Sequence, residues 1–311
     1  VYGRIDQDID RAIELLEKAR ETTLAENNKS HINLYVALGI KSRACLAEGD
    51  WDGAFKAAKR VIDEGGYAVG TKSDLTSGMN SLDKQNVMWG AGIQVADQAG
   101  GYAGFFTHMD NKEGAYAKSA PKLISKQLYN RISATDIRRD WWDPSDKESP
   151  YVSKKFSFAN VASFLGDYIY MRVEEMYFTA AEAALRLDDL KSARELMNTV
   201  MAERDPGYSA NNRSGTLLGA TTTTWTESFL ENILTHRRIE LWGEYGRLFD
   251  VRRLGQGIDR RTDDGFSEEC ISMMNRRNVN ITKADTYDWV LTIPKAELDA
   301  NPNINEEDQN P

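Results

Sequence analysis

Two stretches of this chain repeat one another, and they constrain the fold more than any other feature. Residues 43–62, RACLAEGDWDGAFKAAKRVI, align without a gap with residues 182–201, EAALRLDDLKSARELMNTVM. Ala44 matches Ala183 at a spacing of 139 positions, and the alignment holds to its end. Small residues on both sides of a tight turn are what a tetratricopeptide-type pair of antiparallel helices requires. The repeat therefore predicts two helical hairpins, although the full consensus of such repeats is absent.

Apolar residues at helical spacing extend this pattern beyond the repeat. They predict a first helix near the start of the chain and further helices from His31 to Glu48, from Tyr168 to Leu187 and from Trp225 to Asp250. The fold class that follows is mainly α: tetratricopeptide-like helical hairpins (an α-α superhelix) with a large irregular, loop-rich insert and few short strands.

The chain is predicted to divide into four parts. Residues 67–166 lack sustained periodicity but are rich in aromatic side chains, which is typical of a functional insert and not of disorder. We predict N-terminal tetratricopeptide-like helices over 1–66, a ligand-binding insert over 67–166, C-terminal helices over 167–254 and an extended tail over 255–311 that packs on the helices.

The segment Thr235–Leu254 combines a helical pattern with a line of charges. Gly243 and Gly246 each cost a helix about 1 kcal/mol relative to alanine, so we expect a close backbone contact there. A solvated ladder of surface charges is the alternative. Charges at spacings of three or four residues share one helix face, and here they are Arg237, Glu240, Glu244, Arg247 and Asp250.

Composition and residue patterns exclude several classes of protein. A net charge of −9 and a pI near 5.1 argue against nucleic-acid binding, which needs a basic surface. No apolar run approaches the ~20 residues of a membrane helix. Cys45 and Cys270 have no metal-site spacing, and Cys45 lies in an apolar helical pattern typical of a buried thiol. His31, His108 and His236 are isolated, so we predict no catalytic residue, no metal and no cofactor.

Aromatic residues of the insert are the candidate binding residues. A sugar ring presents a C–H face that can lie on an aromatic ring, while nearby polar groups bind its hydroxyls. The alternative is that these rings fill a small local core. The candidates lie in GGYAGFFTHMDN and RRDWWDPSDKESPY, and they are Tyr102, Phe105, Phe106, Asn111, Arg138, Trp141, Trp142, Asp143 and Tyr151.

Segments spread along the chain resemble the SusD/RagB family of outer-membrane nutrient-capture lipoproteins. The Arg-x-x-Glu…Ala-Glu-Ala helix of that family is matched by YIYMRVEEMYFTAAEAAL, through Arg172, Glu175 and Ala181–Ala183. Its helix rich in arginine and glutamate is matched by ILTHRRIELWGEYGRLFDVRRLG, with His236 in place of the usual leading glutamate. Its first helix, first repeat hairpin and closing tail resemble VYGRIDQDIDRAIELL, GDWDGAFKAAKRVIDEGGY and LTIPKAELDANPNINEEDQNP. Each piece is weak alone, but their shared order is specific.

The resemblance implies a function, a partner and a location. A member of this family captures an oligosaccharide at the cell surface for nutrient uptake, does no chemistry on it, and delivers it to a TonB-dependent (SusC-like) outer-membrane transporter. A lipid anchor would hold it to the outer membrane, and we expect that anchor to belong to an N-terminal portion that this chain lacks. The pair Asp136-x-Arg138 resembles a structural pair of the family, which is a second interpretation of Arg138. The alternative function is a tetratricopeptide-type scaffold that binds proteins or peptides without affinity for saccharides.

Overall fold

A computed structural model describes most of the chain, namely residues 2–20, 28–97, 104–212, 228–256 and 292–309. The described residues are mainly helical with a few short strands, as the sequence predicts. They divide into two compact units, Val1–Tyr245 and Gly246–Pro311. The four-part division of the chain stays a prediction.

Helices dominate the described part of the first unit, together with a few short strands. The helices are α1 (Tyr2–Arg20), α2 (Leu34–Glu48), α3 (Trp51–Glu64), α4 (Lys72–Leu75), α5 (Phe105–Met109), α6 (Ala115–Ser119), α7 (Lys126–Asn130), α8 (Val173–Arg186), α9 (Leu190–Ala202) and α10 (Phe229–Glu240). The strands are β1 (Val87–Ala91), β2 (Trp142–Asp143), β3 (Val152–Ser153) and β4 (Tyr168–Arg172). Short 3-10 turns lie at Val95–Asp97, Ile137–Trp141 and Ala210–Asn212. Among the described helices, none combines the length and the hydrophobicity that crossing a bilayer requires.

The two predicted helical hairpins are confirmed as α2–α3 and α8–α9. In each hairpin an aspartate, Asp50 or Asp189, accepts a hydrogen bond from a backbone N–H of the second helix and caps its start. The residues just before them, Gly49 and Asp188, both have a left-handed backbone, with φ of 90° and 61°. The two copies therefore share the same turn and the same cap, so the sequence repeat is a repeat of structure.

Helix α8 lies at the centre of the main core. It contacts α3, α9 and α10, and almost every side chain from Val173 to Leu185 is buried. Alanines such as Ala58 on α3 and Ala180 on α8 belong to this core, and their small size lets the helices approach closely. Cys45 is buried as predicted, and burial raises the pKa of its thiol to about 12.

The insert is more ordered than its sequence pattern predicts. β1 pairs antiparallel with β4, β2 pairs antiparallel with β3, and α7 adds a short helix. Two small apolar clusters surround these elements. One contains Trp141 and Trp142, and the other contains Phe106, Phe156 and Phe158. The apolar side chains buried in these two clusters stabilise the insert, which has no long helix of its own among its described residues.

The helix predicted from Tyr168 to Leu187 is wrong over its first residues. Tyr168–Arg172 forms β4, and α8 begins at Val173. The partner of β4 is β1, about eighty residues earlier in the chain, and pairing with such a distant strand outweighs the local helical pattern.

The segment Thr235–Leu254 does not form the single helix that its pattern predicts. α10 ends at Glu240, and the chain then turns through Gly243 and Gly246, whose φ angles of 75° and 112° favour glycine. The expected close contact is present at Gly243, where a Cβ atom would lie 2.6 Å from Cε2 of Phe156. Glu240 is fully buried, so the alternative of a solvated charge ladder is also wrong for this part of the segment.

The described part of the second unit contains α11 (Arg247–Arg253), α12 (Lys295–Ala300) and a 3-10 turn at Glu306–Asp308. The side-chain amide of Gln309 donates to the backbone C=O of Ile293 at 2.9 Å and accepts from its N–H at 2.7 Å, which ties the tail back on itself. Most of the predicted tail over 255–311 lies outside the described residues, and so does Cys270.

Candidate ligand cleft

Trp141 and Trp142, two of the sequence-based candidates, lie in the core of the insert. Their exposed fractions are 2% and 1%. The indole N–H of Trp141 donates to the backbone C=O of Leu75 at 2.8 Å, and the two indole rings meet edge to face. Rings enclosed in this way offer no face to a sugar, so the structure corrects their expected role as a binding surface and favours the alternative of a local core.

Arg138 is buried as well, and its contacts are structural. Its guanidinium group donates to both carboxylate oxygens of Asp136, from Nη2 at 2.6 Å and from Nε at 3.0 Å. Nη1 donates to Oε2 of Glu240 at 3.1 Å. The second interpretation of Arg138, a structural pair with Asp136, accounts for this placement.

The polar candidates Asn111 and Asp143 lie near the β2–β3 hairpin and are partly exposed, as is Tyr151. Nδ2 of Asn111 donates to the backbone C=O of Ser153 at 2.7 Å. The carboxylate of Asp143 accepts from the hydroxyl and the N–H of Ser145, and these hydrogen bonds lower its pKa. Tyr151 packs against the cluster that contains the two tryptophans. These three candidates are therefore grouped around the tryptophan cluster.

Phe105 and Phe106 are neighbours on α5 but have different surroundings. Phe106 is buried in the phenylalanine cluster, whereas Phe105 is half-buried and lines an open cleft. Tyr102 lies outside the described residues. Phe105 is thus the sequence-based candidate that the structure connects to a cavity.

The cleft has a volume of about 480 Å³, and its walls are mainly aromatic. β1 contributes Trp89, and β4 contributes Tyr168 and Tyr170. The rings of Trp89 and Tyr170 meet edge to face, with centroids 5.1 Å apart and an angle of 69° between their planes. Since Tyr170 is 42% exposed, a ligand in solvent can reach its ring.

Arg43, on α2, places a fixed positive charge in the wall of the cleft. Its Nε donates to Oε1 of Glu175 at 2.8 Å and its Nη2 donates to Oε2 at 2.6 Å, which is a two-point ion pair. Nη2 also donates to the backbone C=O of Tyr170 at 2.8 Å. The guanidinium carbon lies 3.7 Å from the centroid of the Tyr245 ring. These contacts fix the plane and the position of the guanidinium group.

Glu244 is the second charged side chain of the cleft wall. Its carboxylate accepts from Nε and Nη2 of Arg172, each at 2.8 Å, and from Nζ of Lys155 at 2.5 Å. Burial alone would raise the pKa of Glu244, but the charges of Arg172 and Lys155 outweigh burial and lower it below its ordinary value. Glu244 therefore carries a negative charge that two cations already balance.

A buried ion network connects these groups to the surrounding elements. Glu240, at the end of α10, pairs with Arg138, Arg172 and Arg204 at 3.0 to 3.1 Å. Burial alone would raise the pKa of Glu240, but the three guanidinium groups hold it well below its ordinary value. Arg204 also donates to Glu174 on α8 at 2.8 Å. The network joins the insert, α8 and α10, and so keeps the walls of the cleft at a fixed spacing.

Sequence reasoning missed most of the cleft because its residues come from distant segments. Arg43, Trp89, Tyr170 and Tyr245 lie on α2, β1, β4 and the turn after α10. One local signal was present: YIYMR alternates aromatic and branched or long apolar residues, which is typical of a strand. No pattern in the sequence distinguishes Arg43 from the other arginines.

The chain is similar to proteins of known family and structure. The SusD family model matches residues 106–311. A SusD-like carbohydrate binding protein from Bacteroides vulgatus is 28% identical with a TM-score of 0.63, and the match covers 81% of this chain and 52% of that one. A SusD superfamily protein from the same species is 21% identical with a TM-score of 0.74, and the match covers 98% and 65% of the two chains. Surface glycan-binding protein A from Bacteroides uniformis is 16% identical with a TM-score of 0.64, with 98% and 68% covered.

These matches extend over only part of the relatives. The chain spans between 52% and 68% of the length of the three solved structures. For the two that are 21% and 16% identical, the likeness is one of fold. The search of curated proteins finds none that matches the chain.

Proposed function

The chain belongs to the SusD family, and on that premise we propose that it is a glycan-binding protein of the cell surface. It captures an oligosaccharide and leaves it chemically unchanged. It passes the oligosaccharide to a TonB-dependent (SusC-like) transporter in the outer membrane, where a lipid anchor holds it. The observation that carries the proposal is the aromatic cleft between β1, β4, α5 and α2.

The cleft supports the proposal because it offers the two kinds of contact that a sugar requires. The rings of Trp89, Tyr168 and Tyr170 supply flat apolar faces for the C–H groups of a sugar ring. Arg43 and the tyrosine hydroxyl groups supply a few polar contacts. A volume of about 480 Å³ lies within the range of roughly 300–1,000 Å³ that small-ligand sites occupy.

The contacts among the wall residues also favour binding. Trp89 and Tyr170 restrict each other, and Arg43 is held by Glu175 and Tyr245, so little side-chain freedom is lost when a ligand arrives. Tyr170 keeps part of its surface in water, and a ligand on it would do the same. We therefore expect a modest affinity, in keeping with a protein that must release its ligand to a transporter.

Of the sequence-based candidates, we assign Phe105 to this site. Asn111, Asp143 and Tyr151 stay predictions as ligand contacts, and so does Tyr102. The buried candidates support the site by shaping the insert, and they are Phe106, Arg138, Trp141 and Trp142.

Oligosaccharide binding by the wild type and by Tyr170→Ala tests the proposal. A glycan array identifies a ligand, and titration calorimetry then measures its Kd. We expect Tyr170→Ala to weaken binding about five- to thirtyfold, which corresponds to about 1 to 2 kcal/mol for the loss of one stacked ring. The matched control is Tyr116→Ala, since Tyr116 is 39% exposed, stacks on His108 and lies outside the cleft.

Two results would contradict parts of the proposal. If Tyr170→Ala and Tyr116→Ala bind as tightly as the wild type, the cleft is not the site. If no saccharide binds while a peptide library yields ligands, the glycan-binding function itself is wrong, and the tetratricopeptide-type scaffold takes its place.

A further inference from the structure

We propose that the aromatic cleft selects saccharides that carry an anionic substituent, a carboxylate or a sulfate, and that Arg43 recognises this group through Nη1. This inference rests on the proposed function, because it concerns the ligand class of the same cleft. The aromatic wall binds the sugar ring, and the guanidinium group binds the charge.

The hydrogen bonds of Arg43 leave one nitrogen for a ligand. A guanidinium group has five N–H donors. Nε is used by Glu175, and the two donors of Nη2 are used by Glu175 and by the C=O of Tyr170. Among the residues that the structure describes, none accepts a hydrogen bond from Nη1 of Arg43. Only 12% of this side chain is exposed, and Nη1 belongs to the accessible part, so a ligand can reach its two donors.

The carboxylate that pairs with Arg43 is not dedicated to it. Glu175, its only anionic partner among the described residues, is itself shared, because Nη2 of Arg237 lies 3.6 Å from the same Oε1 atom. One carboxylate thus serves two guanidinium groups. An anionic ligand at Nη1 would add a charge–charge attraction to Arg43, which a neutral ligand cannot make.

The other charge in the wall does not oppose this preference. Glu244 faces the cleft, but Arg172 and Lys155 bind both of its oxygens and balance its charge. The half-buried setting of Arg43 strengthens its attraction for an anion relative to the same pair in open water. Charge-assisted hydrogen bonds from a fixed guanidinium group also carry directionality, so a correctly placed carboxylate or sulfate is favoured over free anions.

Tyr245 makes the recognition specific for a sugar that fits the cleft. Its ring covers one face of the guanidinium group at 3.7 Å, so a ligand approaches Nη1 along the plane of the group and from the side of the cleft. The rings of Trp89 and Tyr170 lie in the same wall. An acidic sugar can therefore place its ring on the aromatic side chains and its charged group at Arg43 at the same time.

The experiment compares ligands that differ only in charge. We use oligogalacturonate and its fully methyl-esterified form as the carboxylate pair, and a sulfated galactan oligosaccharide and its desulfated form as the sulfate pair. With the wild type, we expect the charged member of at least one pair to bind about tenfold more tightly than the neutral member. The pair with the larger difference identifies the anionic group.

Substitutions of Arg43 then locate the selectivity. We expect Arg43→Gln to bring the charged and neutral members within about twofold of each other, while binding of the neutral member persists. Arg43→Lys keeps a positive charge and is expected to retain part of the preference. If Arg43→Gln does not fold, Arg43→Lys and the ligand pairs on the wild type still decide the question.

The outcomes separate this inference from the function on which it rests. Equal binding of charged and neutral members by the wild type overturns the inference and leaves the proposed function intact. An undiminished preference for the charged member in Arg43→Gln also overturns it. Absence of binding for every saccharide overturns both.

Discussion

Gly49 and Asp188 are equivalent residues of the two hairpins, and both have a positive φ, 90° and 61°. Each lies directly before the aspartate that caps the second helix of its hairpin. The turn requires a residue with a left-handed backbone conformation. This residue is a glycine in the first copy of the repeat and an exposed aspartate in the second. Because a left-handed backbone costs a residue with a Cβ atom about 1 kcal/mol, the second hairpin carries a strain that the first lacks.

Asp188→Gly is therefore expected to stabilise the protein. Relief of the left-handed strain gains about 1 kcal/mol, and the greater freedom of glycine in the unfolded chain offsets about half of this. We expect the free energy of unfolding to rise by about 0.5 kcal/mol, as measured by urea denaturation. The reciprocal change, Gly49→Ala, should lower it by about 0.5 kcal/mol on the same reasoning. A destabilised Asp188→Gly would mean that the aspartate makes a compensating contact.

The hairpins were predictable because their information is local. Helical spacing, the turn and the capping aspartates all lie within the repeated segments, and each feature supports the same structure. Strand β4 was not predictable in this way. Its residues fit a helical stripe that continues into α8, and only pairing with β1, far away in the chain, makes Tyr168–Arg172 a strand.

The candidate site was harder to predict than the fold. Trp141 and Trp142 attract attention in the sequence, but adjacent aromatic residues fill a core as readily as they form a surface, and burial is set by the whole fold. The cleft depends on Arg43, Tyr170 and Tyr245, which become neighbours only through tertiary packing. Phe105 is predictable because it lies in an aromatic-rich stretch of sequence, which is a local feature.

Gly243 is predicted to tolerate no side chain. It has φ of 75°, and a Cβ atom there would lie 2.6 Å from Cε2 of Phe156. Gly66 is a matched control, since its φ is 71° but no atom of the described residues lies within 4 Å of the place that a Cβ would occupy. Both alanine variants should lose about 1 kcal/mol to backbone strain. Gly243→Ala should lose about 1 to 3 kcal/mol more through overpacking, as measured by urea denaturation.

The same pair of variants reports on the cleft. Gly243 belongs to the cleft wall, so displacement of Phe156 by the new methyl group would alter the cavity, whereas Gly66 lies outside it. We expect Gly243→Ala to weaken saccharide binding and Gly66→Ala to leave it unchanged. Equal stability of the two variants would show that Phe156 moves aside without cost.

Glu240→Gln is expected to be severely destabilising. It removes the negative charge that Arg138, Arg172 and Arg204 share in the interior, and breaking a buried ion pair typically costs about 3 to 5 kcal/mol. Glu14→Gln serves as the control, because Glu14 is exposed on α1 and pairs with surface cations. Thermal unfolding should show a large decrease in Tm for the first variant and little change for the second. A small effect of Glu240→Gln would mean that water enters the network.

Lys155 gives the stability of the protein a specific dependence on pH. Its ammonium group is buried between the C=O groups of Glu240 and Trp242 and the carboxylate of Glu244. Burial lowers its pKa from 10.5 to about 8, although Glu244 opposes the shift. Between pH 8 and 10.5 the unfolded chain therefore binds this proton more firmly than the folded protein does.

The contribution of Lys155 to the free energy of unfolding should consequently rise with pH across this window, because the unfolded state binds more protons there than the folded state. We expect the free energy of unfolding of the wild type, measured relative to Lys155→Met, to increase by about 2 kcal/mol between about pH 7.5 and pH 10. Lys154→Met is the control, since the neighbouring Lys154 is exposed and should give no such increase. Urea denaturation at a series of pH values measures all three proteins. A relative stability that stays constant or falls as the pH rises would show that the ammonium group keeps its proton, and that Glu244 stabilises the charge more than burial destabilises it.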